Sequence, residues 1–157
     1  MGRWSREELE EEFDKYQARA FRAATSHDWR EWADQFTEDA TYIEAHYGEF
    51  GGREAIYNWI QSTMDEWPNN EMIHFPIDWY VVDEEKGWIV CRVWNRFADP
   101  GDGSIHQDGN ITILKYAGGG QWKYEEDVYN PASFGTMVKG YLKRKKELAE
   151  KASANGD

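Results

Sequence analysis

The chain has little cysteine, little proline and no long apolar run, and the missing features exclude several classes of protein. Cys91 is the single cysteine among 157 residues, so no intrachain disulfide can form and an oxidising compartment is not indicated. It lies in the apolar string WIVCRVW, where a buried, unreactive thiol is expected. The opening segment MGRWSREELEEEF has no apolar signal region, and no run reaches membrane-spanning length. We therefore expect a cytoplasmic protein.

Basic residues are also scarce. The chain has 18 Lys and Arg against 30 Asp and Glu, which gives a net charge of -12. Binding to nucleic acid or to an anionic membrane needs an excess of cations, so neither partner is expected. The short basic run at 143–146 is interpreted as the solvated face of a helix.

Aromatic residues, by contrast, are abundant. Trp, Tyr and Phe make up 16% of the chain, and hydrophobic residues make up 40%. A disordered chain has few aromatic residues, so this composition indicates a folded core or a pocket with bulky walls. The length is that of one compact domain.

The spacing of apolar residues predicts a single α+β domain, 1–157. Its first part, 5–67, holds three helices and one strand, TEDATYIEAHY, followed by a glycine turn, GEFGGRE. Its second part, 71–129, is predicted to be an antiparallel meander of four strands at 71–82, 88–97, 105–116 and 122–129. A final helix covers 131–151. Helices packed on a curved antiparallel sheet form a cone-shaped α+β barrel, with a pocket at the open end.

Strand alternation sorts the polar residues by face. Tyr42, Glu44 and His46 share one face of the first strand, and Glu125, Asp127 and Tyr129 share one face of the last. In EMIHFPIDWYVV one side is apolar and the other is mixed; the apolar set is Ile73, Phe75, Ile77, Trp79 and Val81, and the mixed set is Met72, His74, Asp78 and Tyr80. If the mixed side lines the pocket, the apolar side needs cover, which a homodimer through the sheet would provide.

Three strings carry a family resemblance: HDWREWADQFTEDATYIEAHYGEFGGREAIYNWI, IHFPIDWYVVDEEKGWIVCRVWNRF and WKYEEDVYNP. Together they resemble the nuclear transport factor 2-like superfamily, more specifically its SnoaL-like polyketide-cyclase branch, over nearly the whole chain. The first string is the most specific, because it matches the pattern D-W…F-x-x-D-A-x-Y…G-x-x-x-G-R-E-A-I. The resemblance implies a cone-shaped pocket, frequent dimers, and chemistry by side chains without a cofactor.

Members of this superfamily include ketosteroid isomerase, scytalone dehydratase, limonene-epoxide hydrolase and polyketide cyclases. By resemblance, Glu44 falls where ketosteroid isomerase has its carboxylate base, and His74 matches the pocket histidine of scytalone dehydratase. Asp127 falls near the final-strand carboxylate of the epoxide hydrolases, whose preceding arginine and aspartate have no counterpart in SIHQDGNITIL. Tyr16 lies one helical turn before the position of the isomerase's oxyanion-stabilising tyrosine. No member's full set of catalytic residues is present, so the reaction type does not transfer.

We predict a cofactor-independent enzyme that performs acid–base chemistry on a hydrophobic, polyketide-like or steroid-like substrate, by isomerisation, dehydration, hydration or cyclisation. The catalytic candidates are Glu44, His74 and Asp127, and the substrate-binding candidates are Tyr16, Tyr42, His46, Trp59, Asn95 and Tyr129. A metal site is not expected.

Each catalytic candidate also has a structural interpretation. Glu44 could be bonded to backbone at a strand end, His74 could be satisfied inside the core, and EED could be a solvated acidic run. The alternative for the whole protein is a non-catalytic ligand-binding or dimerisation module of the same fold. Convergence of Glu44 and His74 on one cavity would favour the enzyme.

Overall fold

The computed structural model describes residues 2–156 and has an α+β fold, as the sequence predicts. The described residues form helices α1 (Arg6–Ser26), α2 (Arg30–Asp34), α3 (Arg53–Asp65) and α4 (Pro131–Asn155). The strands are β1 (Phe36–Glu44), β2 (Gly48–Gly51), β3 (Met72–His74), β4 (Ile77–Asp83), β5 (Trp88–Phe97), β6 (Gln107–Gly118) and β7 (Gln121–Val128). Among residues 2–156 no helix is both long and apolar enough to span a membrane.

Helix α1 begins after a capping residue, Ser5. The side chain of Ser5 accepts a hydrogen bond from the Glu8 N–H at 3.1 Å, which satisfies one of the free donors at the helix start. An apolar stripe of the helix is buried through Leu9, Phe13 and Tyr16. The helix ends at His27, whose backbone is left-handed with φ 64°. Tyr16 is thereby held on the face of α1 that covers the sheet.

The sheet is mixed, so the prediction of an antiparallel sheet is wrong at one position. The strand order is β2-β1-β7-β6-β5-β3, with β4 also paired to β5, and β1 runs parallel to β7. The whole meander connects these two strands, so no hairpin turn imposes opposite directions on them. The parallel register aligns Tyr42 with Glu125 and Glu44 with Asp127. This register brings the acidic residues of β1 and β7 close together.

The segment GEFG, predicted as part of a glycine turn, is strand β2. It pairs antiparallel with β1, and Glu44 stands opposite Gly48. Gly48 has φ +99°, which a glycine adopts without strain at the tight return between the strands. The turn itself is therefore confined to the three residues that follow Glu44.

The predicted single strand at 71–82 is two strands, because Pro76 interrupts it and cannot donate a ladder hydrogen bond. A register shift between Ile77 and Trp79 changes the alternation again. As a result Phe75 and Ile77 line an internal cavity, whereas Trp79 is 45% exposed. The prediction that the apolar residues of this segment share one face is therefore wrong.

The main core lies between the three N-terminal helices and the inner face of the sheet. Its largest fully buried side chains include Trp122, Tyr116 and Phe36. A smaller core lies beneath α4, where the ring of Tyr141 stacks on Phe97 with centroids 4.1 Å apart. Tyr141 is the buried residue of α4, so this helix is held mainly by its middle.

Candidate active site

A cavity of about 520 Å³ opens between helices α1, α3 and α4 and the inner face of the sheet. Its volume is in the range of small-molecule sites. Its walls are mainly aromatic and aliphatic, with contributions from Trp29, Trp32, Trp59, Phe75, Ile77, Val93, Phe134 and Val138. Polar groups are concentrated on one wall, which the strands of the sheet form. The cavity therefore suits a largely apolar molecule that presents a few polar atoms to one wall.

Two carboxyl groups, those of Glu125 and Asp127, lie on this wall. They stand two residues apart on β7, so their side chains share a face of the sheet. Glu125 is 2% exposed, and neither carboxyl has a cationic partner among the described residues. The string EED is therefore not a solvated run, since two of its three acids face the interior.

Tyr42 and Tyr16 hold this pair. The Tyr16 hydroxyl donates to Glu125 Oε1 at 2.6 Å, and the Tyr42 hydroxyl lies 2.5 Å from Glu125 Oε2. The same Tyr42 hydroxyl also contacts Asp127 Oδ2. A phenol has one proton to donate, so Tyr42 cannot donate to both carboxyl groups at once. One of the two carboxyl groups must itself carry a proton for all these contacts to be hydrogen bonds.

The electrostatics favour Glu125 as the protonated member. Burial, followed by the nearby charge of Asp127, raises the pKa of Glu125 well above its ordinary value. Burial also raises the pKa of Asp127, although hydrogen bonds from Tyr42 and Thr112 oppose that shift by stabilising its charged form. Two carboxyl groups this close cannot both ionise readily, so the pair holds one proton between them.

A chain of side-chain hydrogen bonds ends on Asp127. Asn95 Nδ2 donates to Asn110 Oδ1 at 2.7 Å, and Asn110 Nδ2 donates to Thr112 Oγ1 at 2.8 Å. Thr112 then donates to Asp127 Oδ1 at 2.7 Å. Because Thr112 accepts from the amide, its single proton is directed at the carboxylate. Asn95, predicted to bind substrate, lies at the start of this chain and lines the cavity.

Glu44 lines the cavity, but its carboxylate is engaged with the turn that follows β1. Its Oε2 accepts the backbone N–H of His46 at 2.8 Å and that of Tyr47 at 2.6 Å. Burial, together with the nearby Glu44 carboxylate, raises the pKa of the Tyr129 hydroxyl. These contacts match the structural alternative given for Glu44, a carboxylate bonded to the backbone at the end of a strand. Glu125 and Asp127 are therefore better placed than Glu44 to carry protons.

His74 is the predicted catalytic residue that the structure places elsewhere. It lines a separate cavity of about 250 Å³ with Phe21, whose ring stacks on the imidazole at 6.5 Å. Glu44 and His74 therefore line different cavities, and the convergence that would have favoured their pairing in an enzyme is not found. The physical reason is the register shift between Met72 and His74 on the short edge strand β3, because Met72 lines the large cavity and His74 no longer shares its face.

The other predicted site residues all line the large cavity; they are Tyr16, Tyr42, Glu44, His46, Trp59, Asn95, Asp127 and Tyr129. The sequence interpretation missed three that also line it, Glu125, Thr112 and Asn110. Strand parity had already placed Glu125 on the face of Asp127, and that parity was the available signal. Thr112 gave no separate signal, because threonine is common in strands, whereas asparagine is depleted there and Asn110 was an available signal.

The described acidic and histidine side chains of the cavity do not form a metal site. Among residues 2–156, no three His, Cys, Asp or Glu side chains cluster closely enough to hold a metal ion.

Cys91 is fully buried, and burial raises the pKa of its thiol, so it is not a nucleophile in this state.

The sequence profile of the SnoaL-like domain matches residues 18–123. The chain belongs to the SnoaL-like domain family. This match runs from the second half of α1 to the first residues of β7, so Tyr16, Glu125 and Asp127 lie outside it. Among curated protein sequences, none matches the chain significantly.

Solved structures of the same fold agree with this assignment. A candidate SnoaL-like polyketide cyclase from Shewanella putrefaciens superposes with a TM-score of 0.62 and 15% identity, covering 84% of this chain and 86% of that chain. An NTF2-like protein from Anabaena variabilis gives 0.62 and 11%, covering 83% and 95%. SalBIII, an epoxide hydrolase/cyclase-like enzyme with a role in pyran ring formation in the polyether salinomycin, gives 0.59 and 13%, covering 79% and 92%. At these identities the likeness establishes the fold.

Proposed function

We propose that this SnoaL-like protein is an acid–base enzyme that isomerises or cyclises a largely apolar, oxygen-containing substrate. The observation that carries the proposal is the buried carboxyl pair, Glu125 and Asp127, which shares one proton on the wall of an aromatic cavity. A group that holds a proton beside one that lacks it can donate and accept in a single turnover. In this scheme Glu125 is the acid and Asp127 is the base, which replaces the earlier pairing of Glu44 with His74.

Ring closure shows how the protons balance. Glu125 gives its proton to the oxygen of an epoxide or carbonyl as that oxygen's bond to carbon breaks or becomes single. A hydroxyl of the same substrate forms the new C–O bond with its lone pair, and its proton passes to Asp127. The product is an isomer of the substrate, so neither an oxidant nor a reductant is needed. The contact of Tyr42 with both carboxyl groups gives the proton a route back to Glu125.

Two further observations support this reading. The walls around the carboxyl pair are mainly aromatic and aliphatic, and surroundings of low polarity strengthen hydrogen bonds there. The comparison with SalBIII adds a protein of the same fold described as epoxide hydrolase/cyclase-like. Isomerisation, dehydration and hydration use the same acid and base, and the substrate's functional group selects among them.

The test is turnover of a library of epoxides, hydroxy-epoxides and cyclic ketones by the wild type, preselected by thermal shift. Glu125→Gln and Asp127→Asn should each reduce turnover by about 10² to 10⁴-fold. Glu126→Gln is the matched control, because Glu126 is the next residue on β7 and bonds instead to the Tyr124 hydroxyl at 2.5 Å. Undiminished turnover in Glu125→Gln would refute the proposal. Library compounds that bind tightly without turnover would favour the alternative, a ligand-binding module.

We also propose that two copies pair through the outer face of the sheet. Register places Trp79, Arg92, Ile111 and Val128 in one row across this face. Trp79 is 45% exposed and Val128 is 48% exposed, so the row has apolar surface at both ends, and Val81, 56% exposed, lies on the same face of β4. Burial of such surface against a second copy would remove it from water.

A further inference from the structure

The smaller cavity beside His74 has features of its own. It has a volume of about 250 Å³ and is lined by Gln17, Phe21, His74, Phe75, Pro76 and Arg96. It shares Gln17 and Phe75 with the large cavity, so the two lie side by side. None of the proton transfers proposed above uses His74 or Arg96. Their arrangement therefore needs a separate explanation.

Arg96 stands between two polar neighbours on adjacent strands. The register pairs it with His74 on β3 and with Gln107 on β6. Its Nε donates to Gln107 Oε1 at 2.8 Å, which fixes the plane of the guanidinium from the β6 side. No described group accepts a hydrogen bond from its two terminal nitrogens. The N–H groups of these two nitrogens remain free to donate, and their planar arrangement matches the two oxygens of a carboxylate.

Arg96 has no acidic partner among the described residues, as is also the case for Arg19, which bonds to Gln35, and for Arg53, which bonds to the Phe36 carbonyl. Arg30 and Arg144 each pair with two carboxylates, and Arg92, on the same strand, pairs with Asp78. Arg96 forms no such ion pair within residues 2–156, although the net charge of the chain is -12. Its side chain is half-buried, so bulk water cannot fully solvate the guanidinium. Such a group is an available site for an anion.

The remaining walls indicate which anion suits the site. Phe21, Phe75 and Pro76 present apolar surface next to the guanidinium and the imidazole. An inorganic ion would leave that surface uncovered, whereas an organic acid would place its apolar body there and its carboxylate on Arg96.

We propose that Arg96 and His74 form a binding site for a small organic carboxylate, next to the large cavity and independent of the acid–base function proposed for it. Arg96 binds the two carboxylate oxygens, His74 donates a hydrogen bond from its ring, and Phe21 covers the apolar part of the ligand. The carboxyl groups on the wall of the large cavity repel the same ligand, which directs it to this site.

The test is an NMR titration of the wild type with benzoate, with its neutral isostere benzamide, and with inorganic phosphate. Benzoate should shift the signals of Arg96 Nε and the His74 ring, with an affinity at least about ten-fold above that for benzamide and for phosphate. Equal affinity for benzamide would overturn the proposal, because the apolar walls alone would then explain binding. Equal affinity for phosphate would overturn it as well, since the site would then be a general anion site.

Two variants provide a second test of the proposed carboxylate site. Arg96→Met should abolish the preference for benzoate over benzamide, while Arg92→Met on the same strand should keep it. Retention of the preference in Arg96→Met would also refute the site. The wild-type comparison needs no variant, so it stands even if Arg96→Met folds poorly. The titration uses no turnover, and it can therefore fail while the proposed acid–base function survives, or succeed while that function fails.

Discussion

Glu125 and Asp127 share the hydroxyl of a single residue, Tyr42, which lies in contact with both carboxyl groups. The parallel pairing of β1 with β7 creates this contact by placing Tyr42 directly beside Glu125. The shared hydroxyl makes the two acids one titrating unit, so a change at either residue alters the protonation of the other. The predictions for the site follow from this coupling.

The first prediction concerns the pH dependence of stability. Glu125 has an ordinary pKa of 4.5, and burial with the Asp127 charge raises that pKa well above this value in the native state. Below about pH 4.5 both the native and unfolded states hold the proton. Above it the unfolded chain releases the proton while the native chain keeps it, so the free energy of unfolding falls as pH rises towards the native pKa. The slope for one proton is at most about 1.4 kcal/mol per pH unit.

Glu125→Gln should remove this contribution, because glutamine does not titrate. Urea unfolding at pH 5, 6, 7 and 8 should show the variant gaining stability relative to wild type as pH rises. Glu126→Gln should follow the wild-type curve, since its side chain lies on the other face of β7. Parallel curves for wild type and Glu125→Gln would show that Glu125 is not protonated in the native state.

Tyr42→Phe should destabilise the fold by about 1–3 kcal/mol, because two buried carboxyl groups lose the hydroxyl that both contact. The change removes one oxygen and leaves the ring that packs against Trp59 at 5.0 Å. Tyr47→Phe is the control, as Tyr47 is 49% exposed and should shift stability by less than about 0.5 kcal/mol. Chemical denaturation at pH 7 measures the stability of both variants. Equal losses of stability would show that the hydroxyl shared by the two carboxyl groups does not stabilise the fold.

Thr112→Val should raise the pKa of Asp127, because the carboxylate loses a donor at 2.7 Å that stabilises its charged form. The proton of the pair would then move from Glu125 towards Asp127. Carbon-13 NMR of the two carboxyl groups follows this redistribution without any substrate. Thr112→Ser keeps the hydroxyl and should restore the wild-type spectrum, while Thr41→Val on β1 should leave it unchanged. Unchanged carboxyl signals in Thr112→Val would show that Thr112 does not determine the proton's position.

Much of this site could be predicted from local pattern, and the failures have physical reasons. Alternation along β1 and β7 correctly grouped Tyr42 with Glu44 and Glu125 with Asp127, because side-chain direction in a strand depends only on parity. Which of these four residues meet depends on a parallel register between strands about 80 residues apart, and no local signal carries that register. His74 was misplaced for a related reason.

Pro76 marks the end of this segment in the sequence, but no residue marks the register shift between Met72 and His74. Parity holds only within an unbroken strand, and here the register shifts on both β3 and β4. Family resemblance did not correct this, since it aligned the histidine by its neighbours in the string HF. The same resemblance predicted the α+β fold correctly, because a fold depends on many such patterns and tolerates a local error.

The dimer through the outer face of the sheet can be tested by light scattering coupled to gel filtration. The wild type should elute with twice the mass of one chain. Val81→Lys should shift it to the monomer, because the charge would be buried against the second copy at the sheet face. Ile105→Lys is the matched control, since Ile105 is 61% exposed in a loop outside the sheet. A monomeric wild type would rule out this interface.

Helix α4 offers a test that depends on neither the reaction nor the dimer. Gly135 and Gly140 lie inside this helix, and a Cβ added at either would meet nothing within 4 Å. Alanine should therefore stabilise the protein by about 0.5–1 kcal/mol at each position, because glycine loses more backbone freedom in a helix. Gly118→Ala should do the opposite, as Gly118 has φ +90° and a Cβ there would lie 3.1 Å from the Trp4 ring. Thermal unfolding of the three variants measures these effects, and destabilisation by Gly135→Ala would mean that α4 packs more closely over the cavity than this structure shows.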